Sequence, residues 1–411
     1  MRPVLTRRLA AQLCVNSRRE SIVLTIENMR VFNIRGGGIH PVIVELVTRD
    51  GIAGYGEAAV AYGLGANAAA GMLSDLAPRV IGADATFPRH VWHDIYDNSF
   101  WTKGGGAVVF AAMSAIDQAL WDIKAKALGV PVYELFGAKF QGSVEVYANG
   151  WSSHHDDVIG WAESAERPIA DGYRILKCYP LATEEKGSTL RHVQRRQMDD
   201  AAFQRAVDRV KLLRKVVGPE IGLMLDLSGG LNNDQLIRFM DVCSELDLIW
   251  VEEPLDAFNL QGFRNLAGRW SIPIAAGERV YTRNGFRNLL ETGGVDIVMP
   301  DVGNCGGIFE LVQIAAMAEA YNVRVSPHNC ASALCTAASL QAAVASAMSM
   351  PLETYPYFSD ANDYVQVLKN PPEKAVAKGK LAVPTLPGLG AEIDVDAISP
   401  FRCFDYRKDA A

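Results

Sequence analysis

Short apolar runs alternate with helical segments from about residue 143 onward. Near-continuous apolar strands that alternate with helices are typical of a parallel sheet covered on both faces. Eight such runs predict an α/β fold with a (β/α)8, TIM-like barrel, rather than an open doubly wound sheet. No GxGxxG motif follows a strand, which also argues against the open sheet. The predicted strands are 144–149, 173–180, 221–228, 248–254, 272–278, 295–301, 323–328 and 351–356, with helices at 200–216, 233–246, 283–292, 307–321 and 331–348 between them.

The N-terminal part of the chain has a different pattern. Two β-rich stretches, 22–33 and 42–48, come first, and the turn residues at 49–51 make 42–58 a predicted hairpin. Apolar positions at three- and four-residue spacing then predict a long helix over 107–128, which Gly129 ends.

These patterns divide the chain into four predicted segments. They are a disordered extension with five arginines (1–20), an α+β domain (21–140), the barrel (141–375) and a Pro- and Gly-rich segment that returns to the α+β domain (376–411).

Composition narrows the classes of function. The chain has 411 residues and a net charge of −7, without a basic stripe, so nucleic acid is not expected as a partner. We find no apolar run of membrane-helix length, so no membrane is expected either. Its seven cysteines are scattered and form no CxxC pair, which favours a reducing cytoplasm over a disulfide framework.

Three carboxylates stand at the ends of consecutive predicted strands. Asp226, Glu252 and Glu278 are each separated by 26 residues, the length of one β/α unit. Strand ends in such a barrel meet at one mouth, where active sites lie. Three clustered carboxylates repel one another unless a divalent cation neutralises them, and all-oxygen ligation favours Mg²⁺. Glu253 is an alternative to Glu252, since strand alternation lets only one of them face the mouth. A set of ordinary helix caps is the alternative for the three as a whole.

Further chemistry-bearing residues continue the series around the barrel. Asp301 and His328 end the next two strands, and such a pair can act as a general acid/base. Glu353 follows on the last strand and could hydrogen-bond a developing oxyanion, unless it is an exposed rim carboxylate. On the second strand, Lys177 and Tyr179 share a face; the lysine could be a base or electrophile, and the tyrosine a hydrogen-bond donor, a base or merely an aromatic wall.

Several motifs together resemble the enolase superfamily and, within it, the mandelate racemase subgroup. The resemblance spans about residues 22–395 and rests on 50–60 (DGIAGYGEAAV), 114–137 (SAIDQALWDIKAKALGVPVYELFG), 225–230 (LDLSGG), 251–254 (VEEP), 275–279 (AAGER), 300–308 (PDVGNCGGI) and 326–329 (SPHN).

What the resemblance implies is a modified (β/α)8 barrel under an α+β capping domain, assembled as a homo-oligomer. It implies one Mg²⁺ on Asp226, Glu252 and Glu278, the first Glu of the EEP run being the ligand. It also implies a His328–Asp301 dyad and a Glu353 that binds the substrate carboxylate. The shared reaction removes the α-proton of a carboxylate and forms an enediolate that the metal stabilises.

Two positions depart from the family pattern. The second strand usually carries Lys-x-Lys, whereas this chain has Tyr179 in place of the second lysine. The residue two after Asp226 is often Asn, a substrate contact, and here it is Ser228. A polar insertion at about 181–199 is a further difference, which could cover the site or serve subunit contacts.

Among relatives with a His–Asp dyad, dehydration of sugar acids is the commonest activity, so we expect a dehydratase. Its substrate would be a small sugar acid or hydroxy acid, with a base on the His328 side or on the Lys177/Tyr179 side. A racemase, epimerase or cycloisomerase is the first alternative, and a non-catalytic metal-binding barrel the second. His40, in a loop of the α+β domain, and Trp151 are candidate substrate contacts. Substrate specificity is expected to lie in two loops of that domain, at about 34–41 and 61–69.

Overall fold

The structure is a computed structural model that describes residues 23–152, 155, 157–182 and 198–407. The predicted N-terminal extension (1–20) and most of the predicted insertion (181–199) lie outside the described residues.

A four-stranded antiparallel sheet and three helices form the N-terminal part. The strands are β1 (Ile26–Asn33), β2 (Val42–Thr48) and β3 (Ala53–Ala58), with β13 (Arg402–Arg407) from the C-terminal end of the chain. Their order is β13-β1-β2-β3, so the C-terminal strand pairs with β1. The helices α1 (Ala66–Val80), α2 (Pro88–Asn98) and α3 (Gly106–Leu128) follow β3 along the chain. We call residues 23–140 with β13 the capping domain.

Helix α3 is the central helix of the capping domain. It packs against β3, where a Cβ on Gly56 would lie 2.0 Å from the carbonyl oxygen of Ala115, so only glycine allows this approach. The helix ends at Gly129 in a left-handed conformation, as the sequence predicts. By length and composition α3 could span a membrane, but 78% of its most apolar window is buried inside the molecule. Its apolar side chains therefore serve as a protein core.

Parallel strands and helices alternate after the capping domain. The strands are β4 (Ser143–Ala148), β5 (Ile175–Cys178), β6 (Gly222–Asp226), β7 (Leu248–Glu252), β8 (Ile274–Ala276), β9 (Ile297–Val298), β10 (Arg324–Val325) and β11 (Leu352–Thr354). The helices are α4 (Val158–Glu163), α5 (Glu166–Ala170), α6 (Asp200–Val217), α7 (Asn233–Cys243), α8 (Leu260–Leu266), α9 (Thr282–Leu290), α10 (Ile308–Ala320) and α11 (Ala333–Val344). Each of the eight predicted strands overlaps one observed strand.

The parallel strands curl into a barrel. They pair in chain order from β4 to β10, and β11 pairs with β4. A parallel bridge between Val325 of β10 and Ser349 closes the remaining gap, with Met350 N donating to the Val325 carbonyl at 2.7 Å. The predicted α/β barrel with an α+β capping domain is thereby confirmed, and the open sheet is excluded.

The C-terminal segment crosses both parts of the molecule. β12 (Lys380–Ala382) pairs antiparallel with β4 at the barrel. Leu389 N then donates to Asp122 of α3 at 2.9 Å, and α12 (Val395–Ile398) leads into β13. The C-terminal segment therefore connects the barrel to the capping domain.

Candidate active site

Three carboxylates meet at the carboxyl ends of neighbouring barrel strands. Asp226 ends β6 and pairs in register with Glu252, which ends β7, while Glu278 follows β8 by two residues. One carboxylate oxygen from each lies within 4.8 Å of the other two. The structure thus brings together the three residues that the 26-residue spacing pointed to.

Each of the three carboxylates is held by its own hydrogen bonds or ion pairs. Asp226 Oδ1 accepts from both the backbone N (2.7 Å) and the hydroxyl (2.9 Å) of Ser228. Glu252 accepts from Trp250 Nε1 at 3.2 Å and from Lys177. Such contacts fix oxygen ligands before an ion arrives, which lowers the cost of binding it.

Glu253 points away from this cluster. Its φ of +43° turns the chain, and its carboxylate accepts from Gly277 N at 2.7 Å and pairs with Arg279 at 3.3 Å. Arg279 also contacts Glu278 Oε1 at 2.6 Å. Of the two adjacent glutamates, therefore, Glu252 faces the mouth, and Glu253 supports the cluster from behind through Arg279.

His328 and Asp301 form a close pair next to the carboxylates. The two residues are joined by a parallel bridge, and His328 Nδ1 lies 2.7 Å from Asp301 Oδ2. His328 Nε2 faces the cluster, 3.2 Å from Glu278 and 4.0 Å from Glu353. Burial lowers the pKa of His328, but the carboxylates of Glu278, Glu353 and Asp301 outweigh burial and raise it to about 10.

Lys177 lies on the opposite side, fully buried between two carboxylates. Its Nζ contacts Glu252 at 2.7 and 2.9 Å and Glu353 Oε1 at 2.7 Å. Burial lowers the pKa of Lys177, yet the charges of Glu252 and Glu353 raise it well above its usual value. Lys177 is therefore a fixed ammonium in this arrangement.

Tyr179 belongs to a small hydrogen-bonded group at the same face. Its hydroxyl lies 2.5 Å from Tyr355 OH and 2.5 Å from Asn149 Nδ2. Asn149 also donates to Glu353 Oε1 at 2.6 Å, and Asn329 N donates to the other oxygen at 2.9 Å. Burial raises the pKa of Tyr179 well above its usual value, so the hydroxyl keeps its proton.

The three predicted substrate contacts lie in three different parts of the molecule, which are the carboxylate cluster, a loop of the capping domain and the barrel core. Ser228 lies in the site, where its hydroxyl donates to Asp226. His40 lies in the capping loop 34–41, and its backbone N donates to the Ala61 carbonyl, which ties the two predicted specificity loops together. Trp151 is 4% exposed and packs against Trp161, with ring centroids 5.8 Å apart, as a core residue does.

Sequence reasoning missed Asn149 and Tyr355. Asn149 follows β4 directly, at the same strand-end position as the carboxylates, but a neutral amide does not signal metal binding. Tyr355 stands two residues after Glu353, so strand alternation alone would have placed both on one face.

The donor set fits a hard divalent cation. In the part of the chain that the structure describes, only oxygen ligands meet at the cluster, and the site holds more carboxylates than cations. The carboxylates are Asp226, Glu252, Glu278, Asp301 and Glu353, and the cations beside them are Lys177, Arg279 and the His328 imidazolium. Burial raises the pKa of Glu252 well above its usual value, although Lys177 opposes the shift. The neighbouring carboxylates of Asp226, Glu353 and Glu278 raise it further, as expected of a cluster whose negative charges a bound dication would neutralise.

Two family models match most of the chain. Residues 37–137 match the "Mandelate racemase / muconate lactonizing enzyme, N-terminal domain", and residues 160–397 match the "Enolase C-terminal domain-like" family.

Individual relatives agree with these matches. The chain is 32% identical over 358 residues to a D-galactonate dehydratase of Ralstonia nicotianae, which covers 85% of this chain and 88% of the relative. A D-galactonate dehydratase of Variovorax paradoxus is 31% identical, covering 86% and 89%. The crystal structure of a "putative dehydratase" from Mesorhizobium loti is similar with a TM-score of 0.90 and 48% identity, covering 93% of this chain and all of that one.

Proposed function

The chain belongs to the mandelate racemase/muconate lactonizing enzyme family of the enolase superfamily, and we propose that it is a Mg²⁺-dependent sugar acid dehydratase. It is a lyase, and relatives named D-galactonate dehydratase support a sugar acid substrate. The observation that carries the proposal is the placement of the His328–Asp301 pair directly beside three carboxylates whose oxygens lie within 4.8 Å of one another.

Asp226, Glu252 and Glu278 would hold the ion. When bound, Mg²⁺ would attract the substrate carboxylate and stabilise the negative charge of an enediolate. The buried Lys177 ammonium is held in place by Glu252 and Glu353, each at 2.7 Å. A positive charge fixed in this way would stabilise the enediolate from the opposite side.

His328 would be the base that starts the reaction. The carboxylates that raise its pKa to about 10 include Glu278, and a divalent cation held by that residue would offset this charge and lower the pKa, so that the imidazole could take up a proton. Asp301 holds Nδ1, which leaves Nε2 directed at the carboxylate cluster and available for the proton on C2 of the acid. The C3–OH bond then breaks, and the proton on His328 leaves with the hydroxyl as water. The resulting enol loses its C2 hydroxyl proton to solvent, takes up a proton at C3 and becomes the 2-keto-3-deoxy acid.

Among the residues that the structure describes, the opposite face offers no comparable base. Lys177 makes three short contacts with carboxylates, and Tyr179 stands in a buried hydroxyl–amide group with Asn149 and Tyr355. A two-base racemase needs a proton acceptor on each side of the α-carbon, so this geometry supports dehydration over racemisation or epimerisation.

Product analysis in D₂O tests the proposal. We would incubate the protein and Mg²⁺ with D-galactonate and a panel of mono- and diacid sugars. Dehydration predicts a 2-keto-3-deoxy acid with deuterium at C3. Deuterium at C2 of the recovered acid or of its epimer, without keto acid, would favour the isomerase alternative. Turnover of no acid, by wild type and His328→Asn alike, would favour the non-catalytic barrel.

Two further expectations accompany the function. We propose a cytoplasmic enzyme, since the described cysteines are free thiols, as in a reducing compartment. A homo-oligomeric assembly stays a prediction of the family resemblance.

A further inference from the structure

The carboxyl end of β3, in the capping domain, contacts both barrel segments that carry the dyad. Ala59 N donates at 2.9 Å to the carbonyl of Gly303, two residues after Asp301. Glu57 accepts at 2.9 Å from the backbone N of Ser332, four residues after His328. One short stretch of the capping domain is therefore tied to both halves of the pair.

Glu57 is a fully buried carboxylate seated on the first turn of α11. It accepts from Ser332 N (2.9 Å), Ser332 Oγ (2.5 Å) and Cys335 N (3.3 Å). The amino end of a helix favours an anion, and these donors partly compensate the burial that raises the pKa of Glu57 to about 7. The carboxylate thus acts as a cap supplied by one domain to a helix of the other.

Gln118 of α3 reinforces the same junction. Its amide oxygen accepts from Glu57 N at 3.2 Å, and its Nε2 donates to the carbonyls of Glu57 (2.9 Å) and Val302 (3.2 Å). Val302 follows Asp301 directly. The side chain therefore joins α3, β3 and the loop of the dyad carboxylate.

Gly303 allows the close approach on the Asp301 side. A Cβ at this position would lie 2.4 Å from Ala59 Cβ and 2.8 Å from Ala59 N, which real side chains do not tolerate. The backbone N of Gly303 also donates to Asp301 Oδ1 at 2.8 Å. The same residue thus contacts the capping domain through its carbonyl and orients the dyad carboxylate through its N–H.

The segment from Ser332 back to His328 is short and well bonded. Asn329 N donates to Glu353 at 2.9 Å, its Nδ2 donates to Thr336 Oγ1 at 2.8 Å, and its Oδ1 accepts from Ala331 N at 3.1 Å. A shift of Ser332 is therefore transmitted to His328 rather than absorbed in between.

We infer that Glu57 is a positioning residue, which fixes the His328 segment against the Asp301 loop from the capping domain. The capping domain then does more than cover the mouth of the barrel, since it sets the geometry of the proton-transferring pair. This inference rests on the role proposed above for His328 as the base.

The variant Glu57→Gln keeps the volume but removes one acceptor, because an amide nitrogen cannot accept from the N–H of Ser332 or Cys335. With D-galactonate and Mg²⁺, kcat should fall at least about tenfold, because small misplacements of a catalytic group are costly. KM and the Mg²⁺ affinity should stay close to wild type. Glu27→Gln, an exposed carboxylate on β1 of the same domain, is the matched control and should change none of these.

A second readout needs no substrate. In ¹⁵N-histidine-labelled protein, the His328 Nδ1–H bonded to Asp301 should give a low-field proton resonance, identified by its loss in His328→Asn. Glu57→Gln should shift or broaden this resonance, while Glu27→Gln leaves it in place. If Glu57→Gln does not fold, Ser332→Ala is the second variant; it removes the hydroxyl bonds to Glu57 and Leu334 N but keeps the bond from Ser332 N to Glu57, and it should give a smaller change of the same kind.

An unchanged resonance, or an unchanged kcat per folded protein, would overturn the inference. If wild type turns over none of the sugar acids, the proposed function fails, but the resonance still decides whether Glu57 positions the pair.

Discussion

Lys177 is a buried ammonium that pairs with two carboxylates of the site. It is fully buried, and its three short contacts all go to Glu252 and Glu353, of which the first belongs to the predicted metal cluster. Removing one partner of a buried ion pair leaves an uncompensated charge, which is costly. The lysine is therefore needed both to hold these carboxylates close together and to stabilise an anionic intermediate.

The variant Lys177→Met tests this role. Because it removes a preorganised charge, kcat for sugar acid dehydration should fall at least about 10²-fold. Steady-state kinetics measures the effect, with circular dichroism to establish that the variant is folded. Lys380→Met, which removes an exposed lysine 3.4 Å from Glu145, is the control and should retain wild-type kcat. A Lys177→Met enzyme within about threefold of wild type would contradict the account.

At this scale the sequence predicted charged residues better than neutral ones. The spacing of Asp226, Glu252 and Glu278 placed them at successive strand ends, and the structure brings their oxygens together. Asn149 and Tyr355 were not predicted, because a neutral hydrogen-bonding group at a strand end does not indicate metal binding or acid–base chemistry as a carboxylate does. The sequence also could not show that the Ser228 hydroxyl is directed to Asp226, since this depends on its left-handed φ of +47°.

Helix α3 joins the capping domain to the barrel through buried carboxylates. Asp117 accepts from Trp121 Nε1 at 3.1 Å and from Phe309 N, at the start of α10, at 3.3 Å. Burial raises the pKa of Asp117 to about 7, although these hydrogen bonds oppose the shift. The folded protein therefore holds a proton here that the unfolded chain releases near pH 4.

This difference predicts how stability changes with pH. A folded-state pKa above the unfolded value stabilises the fold at low pH, and that contribution is lost as pH rises to about 7. In Asp117→Asn the fall in unfolding free energy between pH 5 and pH 8 should shrink by roughly 2 to 3 kcal/mol relative to wild type. Denaturant titrations at the two pH values measure it.

The control is Asp50→Asn, which changes an exposed carboxylate in the β2–β3 turn and should leave the pH dependence as in wild type. An equal fall in wild type and Asp117→Asn would show that Asp117 is ionised throughout.

The spacing of apolar residues was sufficient to predict most strands and helices of the barrel. All eight predicted strands appear, although β9 and β10 are only two residues long. The sequence could not predict these lengths, because strand pairing depends on neighbouring strands that a single apolar run does not contain. Helices α1 and α2 were not predicted individually. Pro78 lies inside α1, and α2 begins at Pro88 with Phe87 rather than Ser, Thr, Asp or Asn at the N-cap position, so each helix has only part of the usual sequence signals.

At the scale of the whole molecule, two domains meet over a concentration of negative charge. The barrel supplies the carboxylates from successive strands, while β3 and α3 of the capping domain contact the loops of Asp301 and His328. The net charge of −7 gives no general attraction for an acidic substrate. A locally bound dication would supply that attraction, and so both binding and chemistry depend on the three-carboxylate cluster.

The most direct test is a calorimetric titration of Mg²⁺ into protein stripped of metal. We expect wild type to bind one Mg²⁺ per chain and Glu252→Gln to lose that binding, while Glu253→Gln, whose side chain faces away from the cluster, still binds one ion. Absence of binding to wild type, or equal binding by wild type and Glu252→Gln, would contradict this expectation.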